Sequence, residues 1–231
     1  MSKKKGKLIV IDGTDGSGKT TQINLLIKKL KSDGLKVKTV HFPDYDNFFG
    51  GFIGHCLTEQ YYNFINVHPK IVSALYAADR WESSKKIEKW LKDGYMVVLD
   101  RYVSANQIHQ GGKIKNTQKR TDFIKWLDEM EYGVFKIPRP NITLYLSLPS
   151  DISARFVKER NQKSVRAYAG GKKDVHEVDL EFQKNSRDSA MWLSKVLKNF
   201  IKIDCAPKNA LRTRLDIHEE VYQKVKKVLK K

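Results

Sequence analysis

The stretch Leu8-Ile9-Val10-Ile11-Asp12-Gly13-Thr14-Asp15-Gly16-Ser17-Gly18-Lys19-Thr20 decides the fold. Its opening run of four apolar residues reads as a strand buried on both faces, the kind found inside a parallel sheet. Gly13 to Thr20 then fits the pattern G-x-x-x-x-G-K-S/T, and beyond it Ile23, Ile27 and Leu30 recur at helical spacing until Gly34 ends the helix. Strand, glycine-rich turn and helix in this order make a phosphate-binding loop. The glycines let the backbone curl so that successive N–H groups point at phosphate oxygens, and the start of the helix adds its positive dipole end. Gly13, Gly16, Ser17 and Gly18 shape the cradle for ATP. Lys19 is placed to reach the β- and γ-phosphates, and Thr20 to offer its hydroxyl to Mg²⁺. An ordinary βα turn needs neither the Lys-Thr pair nor three glycines at these positions.

Outward from this loop, short β-branched runs alternate with stretches of helical period. Val37 to Phe42 reads as a second strand halted by Pro43, and Pro69 opens a helix through Ile71, Val72 and Leu75 that continues or restarts through Ile87, Trp90 and Leu91. Met96-Val97-Val98-Leu99, Ile142 to Leu148 and Phe200-Ile201-Lys202-Ile203 supply three more strands. Between and after them lie helices marked by Phe123, Trp126, Leu127 and Met130, and by Ile217, Val221, Val225 and Val228. The pattern predicts an α/β P-loop kinase fold: a five-stranded, mostly parallel sheet flanked by helices, in one domain over residues 1–231. Asp44 to Val67 and Glu159 to Glu177 break the rhythm and read as loops. The second is rich in lysine and arginine, contains Gly170-Gly171 and lies between two helical patterns, which suits a mobile lid.

Composition narrows the class. The 231 residues are 40% hydrophobic and carry a formal charge of +18, which could advertise a nucleic-acid or anionic-membrane partner. The lysines are dispersed along the chain and aromatics are not clustered among them, so the charge reads as a solvated surface that also attracts nucleotides, with nucleic acid not expected as a partner. No apolar run approaches the roughly 20 residues of a membrane span, and Met1-Ser-Lys-Lys-Lys leads directly into the first strand, so a soluble, cytoplasmic protein is expected. Cys56 and Cys205 stand far apart outside any Cys-x-x-Cys or Cys/His cluster and read as free thiols.

A phosphate-binding loop says only that nucleotide is bound; its partners must define the reaction. Asp100-Arg101-Tyr102 follows the buried Val97-Val98-Leu99 run, at the carboxyl end of a strand, where open α/β sheets bind their ligands. Asp100 can there hold Mg²⁺ or its water, and Arg101 can neutralise two approaching phosphates, although in isolation the pair could equally be a surface ion pair.

With a loop of the form G-x-D-x-x-G-K-T-T-Q that includes Thr21, then Ala77-Ala78-Asp79-Arg80-Trp81-Glu82, then Asp100-Arg101-Tyr102 and a downstream His109-Gln110-Gly111-Gly112, nearly the whole chain resembles the thymidylate kinase family. The resemblance implies that Asp15 approaches the deoxyribose 3′-hydroxyl of dTMP, that Tyr76 stacks on thymine and that Arg80 reaches an exocyclic oxygen and the acceptor phosphate region. An aromatic face recognises any base, and a directed hydrogen bond selects among them. Phe42-Pro43 resembles the turn that shapes the acceptor pocket in the family. Where several relatives place a phosphate-gripping arginine soon after it, this chain has Asp44-Tyr45-Asp46, so more of that work falls to Arg101 and Arg80, with Tyr45 offering a neutral hydrogen bond. A usual serine five residues beyond Asp100 is replaced by Ala105, with Ser104 beside it, and a usual aromatic by His109. Asn106, Gln107, His109 and Gln110 present polar groups that could line the base and sugar site.

Some members of the family carry a catalytic arginine inside the phosphate-binding loop just after its acid, and others supply it from the lid. Gly16 occupies that loop position, so the resemblance assigns the catalytic cation to Arg160 or Arg166 and lays Arg155 against adenine. His176 stands alone in a charged loop and is not read as a metal ligand; the expected cofactor is Mg²⁺ delivered with ATP. The implied activity is transfer of the ATP γ-phosphate to dTMP by a homodimer. Another P-loop deoxynucleoside or nucleoside monophosphate kinase is the alternative, and a nucleic-acid-associated NTPase a more distant one.

Overall fold

The computed structural model describes residues 5–58, 60–163 and 179–230, with the last four of the middle stretch described by backbone alone. Five strands, β1 (Lys7–Gly13), β2 (Val37–His41), β3 (Met96–Asp100), β4 (Ile142–Ser147) and β5 (Phe200–Asp204), form one sheet in the order β2-β3-β1-β4-β5. All four pairings are parallel, so the sheet expected to be mostly parallel is parallel throughout. The sheet is accompanied by helices α1 (Lys19–Ser32), α2 (Phe48–Leu57), α3 (Pro69–Lys92), α4 (Val103–Ala105), α5 (Thr117–Asp128), α6 (Ser150–Lys163), α7 (Leu180–Val196) and α8 (Arg214–Leu229). Both α4 and α5 run on into wider π-helical turns, over Asn106–Gln110 and Glu129–Val134 respectively.

Alternation along the strands divides the core between the two faces of the sheet. Ile9, Ile11, Val98, Leu144 and Ile203 meet Leu26 and Leu30 of α1 and Val221 and Val225 of α8. On the opposite face Leu8, Val10, Val97 and Leu99 meet Ile87 and Leu91 of α3, while Tyr145 and Phe200 pack on α5 and α7. Strands buried on both faces are the physical reason that their sequences read as unbroken apolar runs rather than as alternating ones. The register pairs Ile11 with Asp100 and His41 with Asp100, which gathers the ends of β1, β2 and β3 at one edge.

Two segments differ from the reading by periodicity. Asp44 to Val67 is not a continuous loop, because it contains α2. Glycines at 50, 51 and 54 and a nearly unbroken apolar face-to-face sequence hide a helix from any propensity or periodicity test. Tertiary packing demands Gly50: a Cβ there would collide with the Asp44 carbonyl oxygen and lie 2.9 Å from Asp79 Oδ1, so only glycine lets α2 fold back this closely on the turn after β2. The region read as beginning a lid at Glu159 is still helical through Lys163, and its remainder lies outside the described residues. The helix opened by Pro69 does not restart. It is a single element of 24 residues with proline in its first turn and His68 Nδ1 accepting from the Lys70 backbone N–H.

Candidate active site

The phosphate-binding loop joins β1 to α1 with Gly16 and Gly18 in the left-handed region, at φ 77° and 87°. A side chain at Gly16 would also collide with the Ser153 carbonyl oxygen of α6, so this loop has no room for the arginine that some relatives place there. Lys19 Nζ donates to the carbonyl oxygens of Gly13 at 2.9 Å and Thr14 at 3.0 Å and lies 3.9 Å from Asp15 Oδ1. Burial, and then the charge of Arg101, lower the Lys19 pKa to about 8, against the opposing pull of Asp15, Asp100 and Asp12. A polyphosphate beside Lys19 adds negative charge and restores its cationic form.

Arg101 stands at the centre. Its backbone is in the left-handed region at φ 64°, pinned by an N–H bond to the Ile11 carbonyl oxygen at 3.0 Å, which turns the chain sharply off the end of β3. Its Nη2 donates to Asp15 Oδ1 at 2.7 Å and its Nη1 to His109 Nε2 at 2.7 Å, while Asp12 Oδ1 lies 3.9 Å from Nη1. Burial alone would lower the guanidinium pKa, but Asp15, Asp12 and Asp100 reverse that and the net shift is upward. Asp12, fully buried, was not singled out in the sequence because it looks like one more residue of a strand. Burial raises its pKa against the influence of Arg101 and of the Ser104 hydroxyl, which donates to Asp12 Oδ2 at 2.6 Å. That bond directs Ser104 into the core, and it does not line the acceptor-side pocket that the sequence placed it in.

The other expected acceptor-side residues come together. Asp15 and Arg101 form one wall of a pocket, Phe42, Pro43 and Tyr45 a second, and Tyr76 with Arg80 a third. Ala105, His109 and Gln110 close it from the π-helical turn, where the wider coil brings Asn106 onto the same surface; Gln107 is not among the lining residues. The Phe42–Pro43 peptide bond is cis. Tyr76 meets Phe64 edge-on at 5.9 Å. Arg80 is only 1% exposed and forms a two-pronged pair with Glu131, Nε to Oε2 and Nη2 to Oε1, each 2.6 Å. Asn106 Nδ2 donates to the same Glu131 Oε1 at 3.2 Å. Glu131 is thus the residue that fixes Arg80. The two are 51 positions apart and nothing in the sequence announces the pairing.

Asp79, beside Arg80, anchors the turn after β2: its Oδ2 accepts the Asp44 backbone N–H at 3.1 Å. Burial pushes its pKa up to about 7, only partly offset by that bond and by Arg80. A carboxyl whose folded pKa exceeds its unfolded value of about 3.8 destabilises the fold increasingly as pH rises from about 4 to about 7, because the folded state then holds a proton the unfolded chain releases. Asp79→Asn keeps an acceptor for Asp44 and removes the charge. The substitution is expected to raise the melting temperature by about 5 °C at pH 8 and by clearly less at pH 5. Equal shifts at the two pH values, or destabilisation at pH 8, would count against it.

A larger cleft of about 960 Å³ opens on the other side of Asp15 and Arg101, sharing both with the acceptor-side pocket. Gly16 to Thr21 form its floor, with Asp100 on one wall. Its far end is made by Leu211, Arg212, Arg214 and Ile217, around the connection from β5 to α8. Arg212 is braced by the Asp204 carbonyl oxygen at 2.9 Å and by Glu220 Oε2 at 2.5 Å. Sequence reading missed this end, although its place beyond the carboxyl end of a parallel strand was the available signal. Arg155 does not line the cleft. It is exposed on α6 and packs its guanidinium 5.4 Å from the Phe156 ring, and it is Phe156 that lines the cleft. Arg160 falls on α6 with its side chain outside the description, and Arg166 lies outside the described residues.

Asp100 Oδ1 is buried with no hydrogen-bond partner, and Asp100 shares the cleft with Thr20 and Lys19. An orphaned carboxylate oxygen and a hydroxyl lining the same phosphate site are a donor set that suits Mg²⁺.

A phosphate-binding loop at the head of a parallel sheet, with a second pocket meeting it across a shared arginine and aspartate, defines an enzyme of the P-loop kinase class. The family model for thymidylate kinase matches residues 11–217. The chain is 30% identical to a thymidylate kinase of Caldicellulosiruptor saccharolyticus, over 97% of this chain and 96% of that one. It is 28% identical to the thymidylate kinase of Plasmodium falciparum, over 98% and 92%. The fold superimposes on a Candida albicans thymidylate kinase with a TM-score of 0.71 over 96% of this chain and 92% of that one, at 23% identity. The chain belongs to the thymidylate kinase family, and with that the expected enzyme class, an ATP-dependent nucleoside monophosphate kinase, is borne out.

Proposed function

We propose that this protein transfers the γ-phosphate of ATP to dTMP, giving dTDP and ADP. The observation that carries the reading is the meeting of two pockets at Asp15 and Arg101. A donor phosphate held over Gly13 to Thr20 and an acceptor phosphate entering from the Tyr76 side would both face the Arg101 guanidinium. Phosphoryl transfer needs little covalent help from the protein; it needs alignment and neutralised charge. Lys19 and Arg101 supply positive charge to the phosphates, and Arg80, held by Glu131 in the wall of the acceptor-side pocket, adds a further cation there. Tyr76 offers an apolar face to a base, and Asn106 and Gln110 offer polar atoms to its edge. Asp15 accepts from the sugar hydroxyl. Thr20 and Asp100 would hold Mg²⁺, which when bound neutralises charge on the donor phosphates. Leu211, Arg212, Arg214 and Phe156 shelter the donor base. Arg160 or Arg166 remains the reading for a further cation, consistent with the lack of room at Gly16.

Residues 1–231 act as one catalytic domain in this reading, in the cytoplasm, where two buried free cysteines are at home. No described helix is long and apolar enough to cross a membrane. We also propose a homodimer through α2 and α3, whose outer surfaces leave Phe48 77%, Ile71 58% and Trp81 52% exposed. Light scattering at a single chain mass of 26.7 kDa would overturn that part. The reaction itself is tested by incubating enzyme, ATP, Mg²⁺ and dTMP: dTDP and ADP are expected in equal amounts. ADP formation stimulated by a polynucleotide instead of dTMP would support the NTPase alternative.

A further inference from the structure

We propose that His109 is a positioning residue for Arg101, held by Ser186 as the neutral imidazole with its proton on Nδ1, so that helix α7 sets the direction of the cation shared by the two pockets. The proposal rests on the phosphoryl-transfer reading above, and its first test does not.

The protonation state follows from hydrogen-bond polarity. A guanidinium has donors and no acceptor, so Arg101 Nη1, 2.7 Å from His109 Nε2, must donate, and Nε2 must carry the lone pair. The ring proton then sits on Nδ1, where Ser186 Oγ at 3.0 Å accepts it. The ring plane is fixed as well: it lies within 10° of parallel to Phe182, with centroids 5.7 Å apart. Phe182 and Ser186 are four residues apart on α7 and so share one face of it. Ser186 is fully buried and Phe182 is 5% exposed, so the clamp is set in packed protein.

On the Arg101 side, Asp15 takes Nη2, and Asp12 lies 3.9 Å from Nη1. His109 accepts from Nη1 without adding charge. A carboxylate in its place would bring a fourth negative group to a site that already contains Asp12, Asp15 and Asp100, and would weaken the attraction of Arg101 for phosphate. An apolar ring would let the guanidinium turn wholly onto Asp15. A neutral acceptor holds the fork open without competing for the charge. His109 also lines the acceptor-side pocket, and a direct contact with the acceptor is the rival role. The two differ in measurable ways.

Long-range ¹⁵N–¹H correlation spectra of the histidine rings in the ligand-free enzyme at pH 7.5 are expected to show His109 as the Nδ1-protonated tautomer. An Nε2-protonated ring or an imidazolium there would overturn the proposal whatever the enzyme's substrate. The kinetic arm compares His109→Phe, which keeps the stacking on Phe182, with His109→Gln, whose amide oxygen can accept at the Nε2 position. His109→Phe is expected to lose about 10- to 100-fold in kcat, the worth of one charge-assisted hydrogen bond, with the dissociation constant of dTMP changed less than about threefold. His109→Gln is expected to recover most of that loss, and Ser186→Ala to lose severalfold in kcat. Weakened dTMP binding that accounts for the whole effect of His109→Phe, with no rescue by His109→Gln, would assign His109 to the acceptor and overturn the positioning role. Should wild-type enzyme fail to phosphorylate dTMP, the functional reading falls while the tautomer still decides the proposal.

Discussion

Lys19→Ala is expected to lower turnover by about 10³-fold at saturating substrates while leaving the fold intact. The charge distribution explains the size of the effect. Asp12, Asp15 and Asp100 converge on Lys19 and Arg101, and removing Lys19 leaves these three carboxylates facing the Arg101 guanidinium beside the phosphate-binding loop, where a polyanion must bind. In the described structure the ammonium is bonded to the Gly13 and Thr14 carbonyl oxygens, where it turns acceptors of the loop into a surface that tolerates anions. Its contacts are local to the loop, so thermal unfolding should move by only a few degrees. Turnover above a tenth of wild type would contradict the assignment of Lys19 to the transferring phosphate.

The second large effect is expected far from any phosphate. Glu131→Ala would leave Arg80 as an unpaired guanidinium that is 1% exposed, and breaking one partner of such a pair costs about 3–5 kcal/mol. The same substitution frees the Arg80 side chain from its two bonds of 2.6 Å and deprives Asn106 of an acceptor, so dTMP affinity should fall together with stability. Denaturant unfolding measures the first and calorimetric titration the second. Glu131→Gln separates them in part, since it retains an acceptor and the shape but not the charge. A loss of less than about 1 kcal/mol in Glu131→Ala would mean that Arg80 finds another partner or reaches water, and the rigid presentation of Arg80 would no longer hold.

These two residues also mark the boundary of what the sequence discloses. Lys19 is legible because its chemistry is local: a run of β-branched residues, glycines at fixed offsets and the Lys-Thr pair all lie within 14 positions. The strands are legible for the same reason, since burial on both faces writes itself as an unbroken apolar run. Glu131 is not legible, because its meaning comes from Arg80, 51 positions away, and a glutamate in a charged stretch looks like surface. Asp12 and Ser104 fail the same test at a separation of 92 positions: one looks like the end of a strand, the other like a loop hydroxyl facing ligand, and their mutual bond buries both. Helix α2 is not legible because its glycines read as loop, and the close approach of Gly50 to the Asp44 carbonyl is revealed only by the folded chain. Family resemblance singled out Tyr76, Arg80 and Asp15, which periodicity alone would have left as a helix face and a turn and which the fold brings to one pocket. It laid Arg155 against adenine, whereas Phe156 of the same helix is the residue that lines the cleft over the phosphate-binding loop.

A pocket that meets the phosphate-binding loop at Asp15 and Arg101 and selects dTMP should make dTMP the best acceptor. The most direct measurement is a coupled ADP-release assay with ATP and Mg²⁺ across dTMP, dUMP, dCMP, dGMP and AMP, comparing kcat/KM for each. The highest value is expected for dTMP, with the other acceptors at least about tenfold lower, the discrimination that one base-edge hydrogen bond or a missing methyl group supplies. A higher kcat/KM for any of the other four would contradict it.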